Sequence, residues 1–422
     1  MSTLLDALWD TMNTRGIVYC VLRRDENLLE EPDVDLLVRA KDRAALETIM
    51  MHSGFIAFSM PKTGSDRFYL ILDYSRHRWL LVQAAFHLHY GKTKFFQDPI
   101  EEQVLARREA KNNYFVPAPL DQFRILFLHC LLDKGHFRKY WDYFLGFRIE
   151  PGSVAIPGFS ERQWLPLSRV RLNELRHQKY KVWANGFRQS LRRQTPGYFW
   201  RLVGRLFVKV FRLKAIRPGF RIAFLGPDGS GKTTAVQNFA HRMMWPLEVL
   251  KVYLGDNRYL NPLAKFIHDY KEKREKEGKK DFWLSSLHLF LGYLDKCIRV
   301  AMAEYFYLAG GIALFDRSFH DLLANPEVPE GSFKYRLKEF LYKVSPKPDL
   351  VIFLEADAAV LHARKSDHPL EFIEKACARY QRVAAEHGKN MIRIKADQPP
   401  EAVVNQCLEA FWERWSRRWL GE

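Results

Sequence analysis

Cysteine is scarce in this chain and badly placed for cross-linking. The five present, Cys20, Cys130, Cys297, Cys377 and Cys407, are odd in number and far apart, with no C-x-x-C pair. That argues against a disulfide framework and a thiolate zinc site. Long apolar runs are also missing. The best candidate, Ala301 to Phe315, is interrupted by Glu304 and too short to span a bilayer. Residues 1–15 carry Asp6 and Asp10 with no basic start ahead of an apolar stretch, so no secretory signal is read. These absences predict a cytoplasmic protein. Acidic residues are in deficit, 49 Asp and Glu against 66 Lys and Arg, for a net charge of +17. Such an excess points to an anionic partner: a nucleotide, a nucleic acid or a negative membrane face. No recognised nucleic-acid-binding motif is found, which makes nucleic acid the weakest of the three. With 422 residues, 47% of them hydrophobic and 14% aromatic, the chain has room for two or three well-filled domains and is neither disordered nor fibrous.

The most informative stretch is R-I-A-F-L-G-P-D-G-S-G-K-T-T, Arg221 to Thr234. Ile222 to Leu225 form a short apolar strand, Gly226 to Thr233 fit G-x-x-x-x-G-K-[ST], and a helix is predicted from Thr234 to Met244. Gly226, Gly229 and Gly231 let backbone N–H groups converge on an anion, and the helix N-terminus adds partial positive charge. Pro227, Asp228, Ser230 and Thr234 complete the loop. Lys232 is placed to reach the β- and γ-phosphates, and the Thr233 hydroxyl to hold Mg²⁺. The expected ligand is a nucleoside triphosphate, ATP with Mg²⁺.

Residues 1–115 show a small α/β pattern: a helix over 3–14, strands at Ile17–Leu22 and Asp33–Val38, a helix at Asp42–His52, and strands at Arg67–Leu72 and Trp79–Ala84. Asp33 and Asp35, separated by the single residue Val34 on a strand, point to the same face, a geometry that suits two oxygen ligands on one Mg²⁺ or simply a solvated strand face. The order helix, strand ending Leu22-Arg23, loop, then D-V-D-L-L-V resembles the nucleotidyltransferase superfamily. The resemblance implies a second metal site at Asp33 and Asp35, with a third carboxylate on the strand Trp79–Ala84. That third position falls on Gln83, which adds neither charge nor a base. His87 and His89 are expected on one strand face, and His129 and His136 on a helix. No Cys or carboxylate joins either pair at metal-ligand spacing.

From 116 to 187 the periodicity turns helical, with Phe123, Phe127, Cys130 and Leu131 marking a core face of a helical subdomain. Residues 188–218 are different. From Arg188 to Arg221 inclusive there are ten Arg or Lys and no Asp or Glu, and Arg201, Arg205, Lys209 and Arg212 share one helical stripe beside an aromatic and aliphatic face. The stretch 198–214 reads either as a linker helix buried between domains or as a helix on an anionic membrane surface, which would make the protein peripheral to the inner face of the membrane.

Residues 219–422 alternate strands and helices. Strands are predicted at Val249–Leu254, Ile312–Phe315, Asp349–Leu354 and Met391–Ile394, a long helix at Phe282–Ala309, and overall a parallel five-stranded sheet. Gly226, Asp256 and Asp316 fall at the carboxyl ends of strands, where such sheets bind ligands. The segments G-P-D-G-S-G-K-T-T at 226–234, G-G-I-A-L-F-D-R-S at 310–318, P-D-L-V-I-F-L-E-A-D at 348–357 and A-R-K-S-D-H-P-L-E at 363–371 resemble the thymidylate kinase-like branch of P-loop nucleoside monophosphate kinases. The resemblance implies that Asp316 organises Mg²⁺ and that Arg317 clamps the acceptor or the transferring phosphoryl group. It also implies that Arg364 and Lys365 close over the γ-phosphate and that Asp228 contacts the acceptor.

Two departures stand out. Gly255-Asp256-Asn257-Arg258 replaces the T-R-E-P-G-like segment, and the place of the base-reading arginine holds Asp295, with Lys296 next and Arg299 a turn on. D-R-S is also similar to the E-R-S signature of deoxynucleoside kinases, with Asp256 where an acid would take a hydroxyl proton. The sequence therefore predicts a phosphotransferase whose acceptor is not thymidylate but a hydroxyl of a sugar, glycan or nucleoside. Two alternatives stand beside it: a nucleotidyltransferase acting through Asp33 and Asp35 with a regulatory P-loop domain, and a non-catalytic, nucleotide-gated membrane adaptor.

Overall fold

A computed structural model of the chain describes residues 4–22, 33–58, 66–91, 96–134, 137, 140, 144, 155–157, 164–166, 219–243, 247–255, 259–278, 281–308 and 310–420. They fall into two compact units: residues 1–73 with 78–215, and residues 74–77 with 216–422. Residues 188–218, including the basic stripe Arg201, Arg205, Lys209 and Arg212, lie outside the described residues, as do Asp256, Arg258 and His136.

The amino-terminal unit is built on a five-stranded sheet in the order β1-β2-β5-β4-β3. The strands are β1 (Tyr19–Val21), β2 (Asp33–Val38), β3 (Ile56–Phe58), β4 (Arg67–Asp73) and β5 (Arg78–Ala85), with α1 (Leu4–Thr14) and α2 (Arg43–His52) beside them. β2 and β5 run parallel and the other pairs antiparallel. At the hairpin β4 and β5 each reach one residue further than the apolar pattern indicates, because Asp73 and Arg78 sit opposite each other where it closes, and β5 also gains Ala85 at its far end, opposite Leu37. β5 ends at Ala85, so His87 is not on a strand as expected. His89 begins a separate two-residue strand, and the two rings meet edge to face at 5.9 Å. The helical face expected after residue 116 is present: α3 (Glu101–Ala106) and α4 (Pro119–Leu128) lead into a π-helical turn, and Phe123, Phe127, Cys130 and Leu131 are fully buried.

The carboxyl-terminal unit is a parallel sheet ordered β7-β8-β6-β9-β10. Its strands are β6 (Phe220–Leu225), β7 (Val249–Tyr253), β8 (Ile312–Asp316), β9 (Leu350–Glu355) and β10 (Met391–Lys395). Every residue of β8 is buried, as continuous apolar runs require when helices cover both faces. Between the strands run α5 (Lys232–Arg242), α6 (Pro262–Lys276), α7 (Phe282–Leu308), α8 (Asp321–Ala324), α9 (Phe333–Val344), α10 (Ala358–Arg364) and α11 (Leu370–His387), and α12 (Pro400–Leu420) closes the unit. Phe411 of α12 packs edge to face on Phe220 and Phe239, at 5.6 and 5.8 Å, locking α5 onto the sheet. Among the described residues no helix is long and apolar enough to cross a membrane.

The order of strands fixes where a ligand can enter. From β6 the chain goes to one side of the sheet, and after β8 it crosses to the other. The crevice at this switch lies beyond the carboxyl end of β6, between β8 and β9. The register places Asp316 level with Phe224 and Phe353 level with Leu225. The glycine-rich loop leaves β6 directly into that crevice.

Candidate functional site

Three glycines let the loop from Gly226 to Gly231 turn back on itself, with φ of 149°, 85° and 83° at Gly226, Gly229 and Gly231. At Gly226 a side chain is excluded outright, since a Cβ there would sit 2.6 Å from the Leu354 carbonyl oxygen. Gly231 caps α5 in the left-handed conformation, so the free N–H groups of the first helical turn face the loop.

Lys232 is 6% exposed and folds over this loop, its Nζ donating to the carbonyl oxygens of Gly226 and Pro227 at 2.8 Å each. Burial and then the nearby Arg317 guanidinium push its ammonium down to about 8. Burial thus disfavours the charged form of this amine even though two carbonyl oxygens accept from it. Asp228 lies among cations: Arg317 Nη2 donates to its Oδ1 at 2.7 Å, and the amines of Lys365 and Lys232 lie at 3.7 and 3.8 Å. Burial alone would raise its carboxyl, but Arg317, Lys232 and Lys365 outweigh that and hold it below the usual carboxylate range.

Thr233 Oγ1 donates to Asp316 Oδ2 at 2.7 Å. Asp316 is 6% exposed, and its second oxygen, Oδ1, is buried with no hydrogen-bond partner. A buried, orphaned carboxylate oxygen beside a threonine hydroxyl is what a hard divalent cation would satisfy, so these residues fit Mg²⁺. Next to them opens a cavity of 500 Å³ lined by Thr233, Val236, Gln237, Lys251, Val252, Tyr253 and Asp316. Gln237 and Lys251 carried no motif in the sequence, yet the fold brings both to the wall.

Arg317 is one of three described non-glycine residues with positive φ, at 78°. Strain of this kind persists only where surrounding contacts enforce it. Of the lid-like pair, Lys365 reaches the site through Asp228, whereas Arg364 Nη1 donates to the Ala396 carbonyl at 2.8 Å. Pro227, Ser230 and Thr234 stand in the loop as the motif requires, with Ser230 buried and Thr234 exposed.

Residues 224–407 match the thymidylate kinase family model. A thymidylate kinase from Latilactobacillus sakei subsp. sakei (strain 23K) is 25% identical over 209 residues, 46% of this chain and 94% of that protein. Both findings concern the carboxyl-terminal unit, and the family suggests a nucleotide kinase. Within this unit Asp295, which stands where the resemblance would place a base-reading arginine, is fully buried. Its Oδ1 accepts from the backbone N–H groups of Leu260 and Asn261 at 2.8 and 2.7 Å, and its Oδ2 lies 2.8 Å from Arg299 Nη2. The guanidinium of Arg299 in turn donates to the Tyr253 carbonyl.

The matched region leaves the amino-terminal unit outside. There Asp33 is exposed, Asp35 is buried, and the register puts Gln83 opposite Asp35, where the third carboxylate was sought. Gln83 Nε2 donates to Asp66 Oδ2 at 3.0 Å. Asp35, Asp66, Gln83, His87, His129 and Asp133 are among the residues lining a cavity of 260 Å³. Among the described residues no group of three or more His, Cys, Asp or Glu side chains converges to hold a metal ion.

Proposed function

We propose that the carboxyl-terminal unit is an ATP- and Mg²⁺-dependent phosphotransferase whose acceptor is a hydroxyl of a sugar, glycan or nucleoside rather than thymidylate. The observation that carries this reading is the convergence of Lys232, Thr233, Asp316, Arg317 and Asp228 at the mouth of the sheet. In it the backbone N–H groups of the loop and of the first turn of α5 bind the phosphates. Lys232 leaves the Gly226 and Pro227 carbonyls for the β- and γ-phosphoryl oxygens. Thr233 Oγ1 and Asp316 would hold Mg²⁺, which would supply charge neutralisation to the transferring group. Arg317 supplies a forked cation beside the phosphoryl oxygens as charge spreads over them. Lys365, and Arg364 once released from Ala396, add charge from the lid side. Asp228 holds Arg317 until the acceptor arrives and then orients the acceptor. Asp256, three residues beyond Tyr253 in the sequence, is proposed as the base for the acceptor hydroxyl.

Asp295 supports an acceptor other than thymidylate. A buried carboxylate committed to two backbone N–H groups cannot make the contacts that an arginine makes with a base carbonyl. Incubation with labelled ATP and a panel of nucleoside monophosphates, nucleosides, sugars and glycans should label a hydroxyl acceptor. Lys232→Ala should abolish that transfer while the protein stays folded, and full activity in this variant would end the proposal. The acidic cavity around Asp35 favours a second reading, nucleotidyl transfer in the amino-terminal unit. It predicts that Asp33→Asn with Asp35→Asn stops pyrophosphate release while Lys232→Ala does not.

A further inference from the structure

Arg317 is held in a backbone conformation that a residue with a Cβ avoids, and the contacts that hold it are specific. Its own N–H donates to the Phe224 carbonyl at 3.1 Å. The next N–H, of Ser318, donates to Asp321 Oδ2 at 3.0 Å. The other oxygen of that carboxylate, Oδ1, accepts from the Tyr380 hydroxyl at 2.5 Å. Tyr380 is itself fixed, since it is 7% exposed and stacks on Phe353 of β9, with ring centroids 6.2 Å apart and planes 20° apart. Asp321 is thus tied at both oxygens, one to the turn and one to α11, the helix that follows the lid-like stretch. After burial, the charge of Asp321 acts on the Arg317 guanidinium more strongly than the charge of Asp228, which adds a hydrogen bond of its own.

We propose that Asp321, anchored by the Tyr380 hydroxyl, is a positioning residue that pins Arg317 in its left-handed turn with the guanidinium directed at Asp228 and the phosphate pocket. The proposal rests on the reading of Arg317 as a phosphoryl clamp. If Asp321 were absent, the Ser318 N–H would lose its acceptor and the turn could relax to negative φ, swinging the guanidinium away from the crevice. The Tyr380 tether makes the geometry of the clamp depend on where α11 sits against the sheet.

The test pairs a stability cycle with kinetics in the full-length chain. In a left-handed position glycine is preferred to alanine, so Arg317→Gly should melt roughly 2–4 °C above Arg317→Ala, both lacking the guanidinium. Added to Asp321→Ala, the same pair should melt together, because the turn is no longer held. A glycine advantage that survives Asp321→Ala undiminished would overturn the proposal. This cycle needs no activity, so it decides the matter even if the wild type labels no acceptor, an outcome that would instead defeat the kinase reading. In turnover, Tyr380→Phe should lower kcat roughly 3- to 10-fold with KM for ATP within about twofold, the signature of a contact made only in the transition state. With Arg317→Ala already present it should have no further effect. A rise in KM at constant kcat, or an undiminished effect of Tyr380→Phe in the Arg317→Ala background, would count against positioning.

Discussion

The burial of the Lys232 ammonium against the Gly226 and Pro227 carbonyls has a measurable consequence. In the unfolded chain its ammonium keeps the proton up to its ordinary value of 10.5, whereas in the ligand-free fold it keeps it only to about 8. A fall of that size corresponds to about 3 kcal/mol of destabilisation at neutral pH. The sign follows from proton counting. Below about 8 both states carry the charge and the full penalty stands. Between about 8 and 10.5 the unfolded state binds more protons, so stability rises with pH. In Lys232→Met this contribution vanishes. The difference in unfolding free energy between wild type and variant should therefore shift in favour of the wild type by about 2.5 kcal/mol between pH 7 and 10. Urea unfolding at several pH values measures it. Taking the difference at each pH cancels other titrating groups, notably Lys347, which burial also lowers to about 8. Bound polyphosphate restores the charged amine, so nucleotide affinity should fall about tenfold per pH unit above 8. Parallel stability curves for wild type and variant would refute the claim that burial disfavours the charged form of Lys232.

Other consequences follow from the same geometry. Gly226→Ala meets the Leu354 carbonyl at 2.6 Å and should cost about 2–4 kcal/mol along with nucleotide binding, whereas Gly231→Ala, which meets nothing within 4 Å, should cost only about 1–2 kcal/mol for its φ of 83°. Thermal melts and nucleotide titrations of the two variants check the order. His320 is buried between the Ser318 hydroxyl and the Tyr342 hydroxyl, and burial, then Lys347 and His387, push it down to about 3. Because the unfolded imidazole binds a proton near 6.5, the fold should lose about 3 kcal/mol between pH 7 and 4, a loss that His320→Gln lacks. Asp33→Asn with Asp35→Asn should leave phosphoryl transfer by the carboxyl-terminal unit unchanged, as a label-transfer assay would show.

The parts of this molecule legible in the sequence are those whose cause is local. Strand, glycine loop, Lys232 and Thr233 are contiguous, so their chemistry and geometry come together. Asp316 was readable because it ends an apolar run, and its pairing with Thr233 follows from β8 lying beside β6. The register sets Gln83 of β5 opposite Asp35 of β2, a pairing between segments nearly fifty residues apart that alternation within either strand does not supply. What escaped was assembled from afar. Tyr380 joins Asp321 across 59 residues, and Lys251 reaches the cavity wall only because β7 lands at the sheet edge. Asp66 and Asp133 meet Asp35 around one cavity from three separate segments, and no spacing rule connects them. Arg364, taken as a lid cation, instead meets Ala396, a contact that only the position of β10 creates.

The most direct test uses two labelled nucleotides, ATP carrying label at its γ-phosphorus and ATP carrying it at its α-phosphorus, each offered with Mg²⁺ and the acceptor panel. The account predicts that label reaches acceptor only from the γ-position and only while Lys232 is intact. Label arriving from the α-position, with pyrophosphate released, would contradict it.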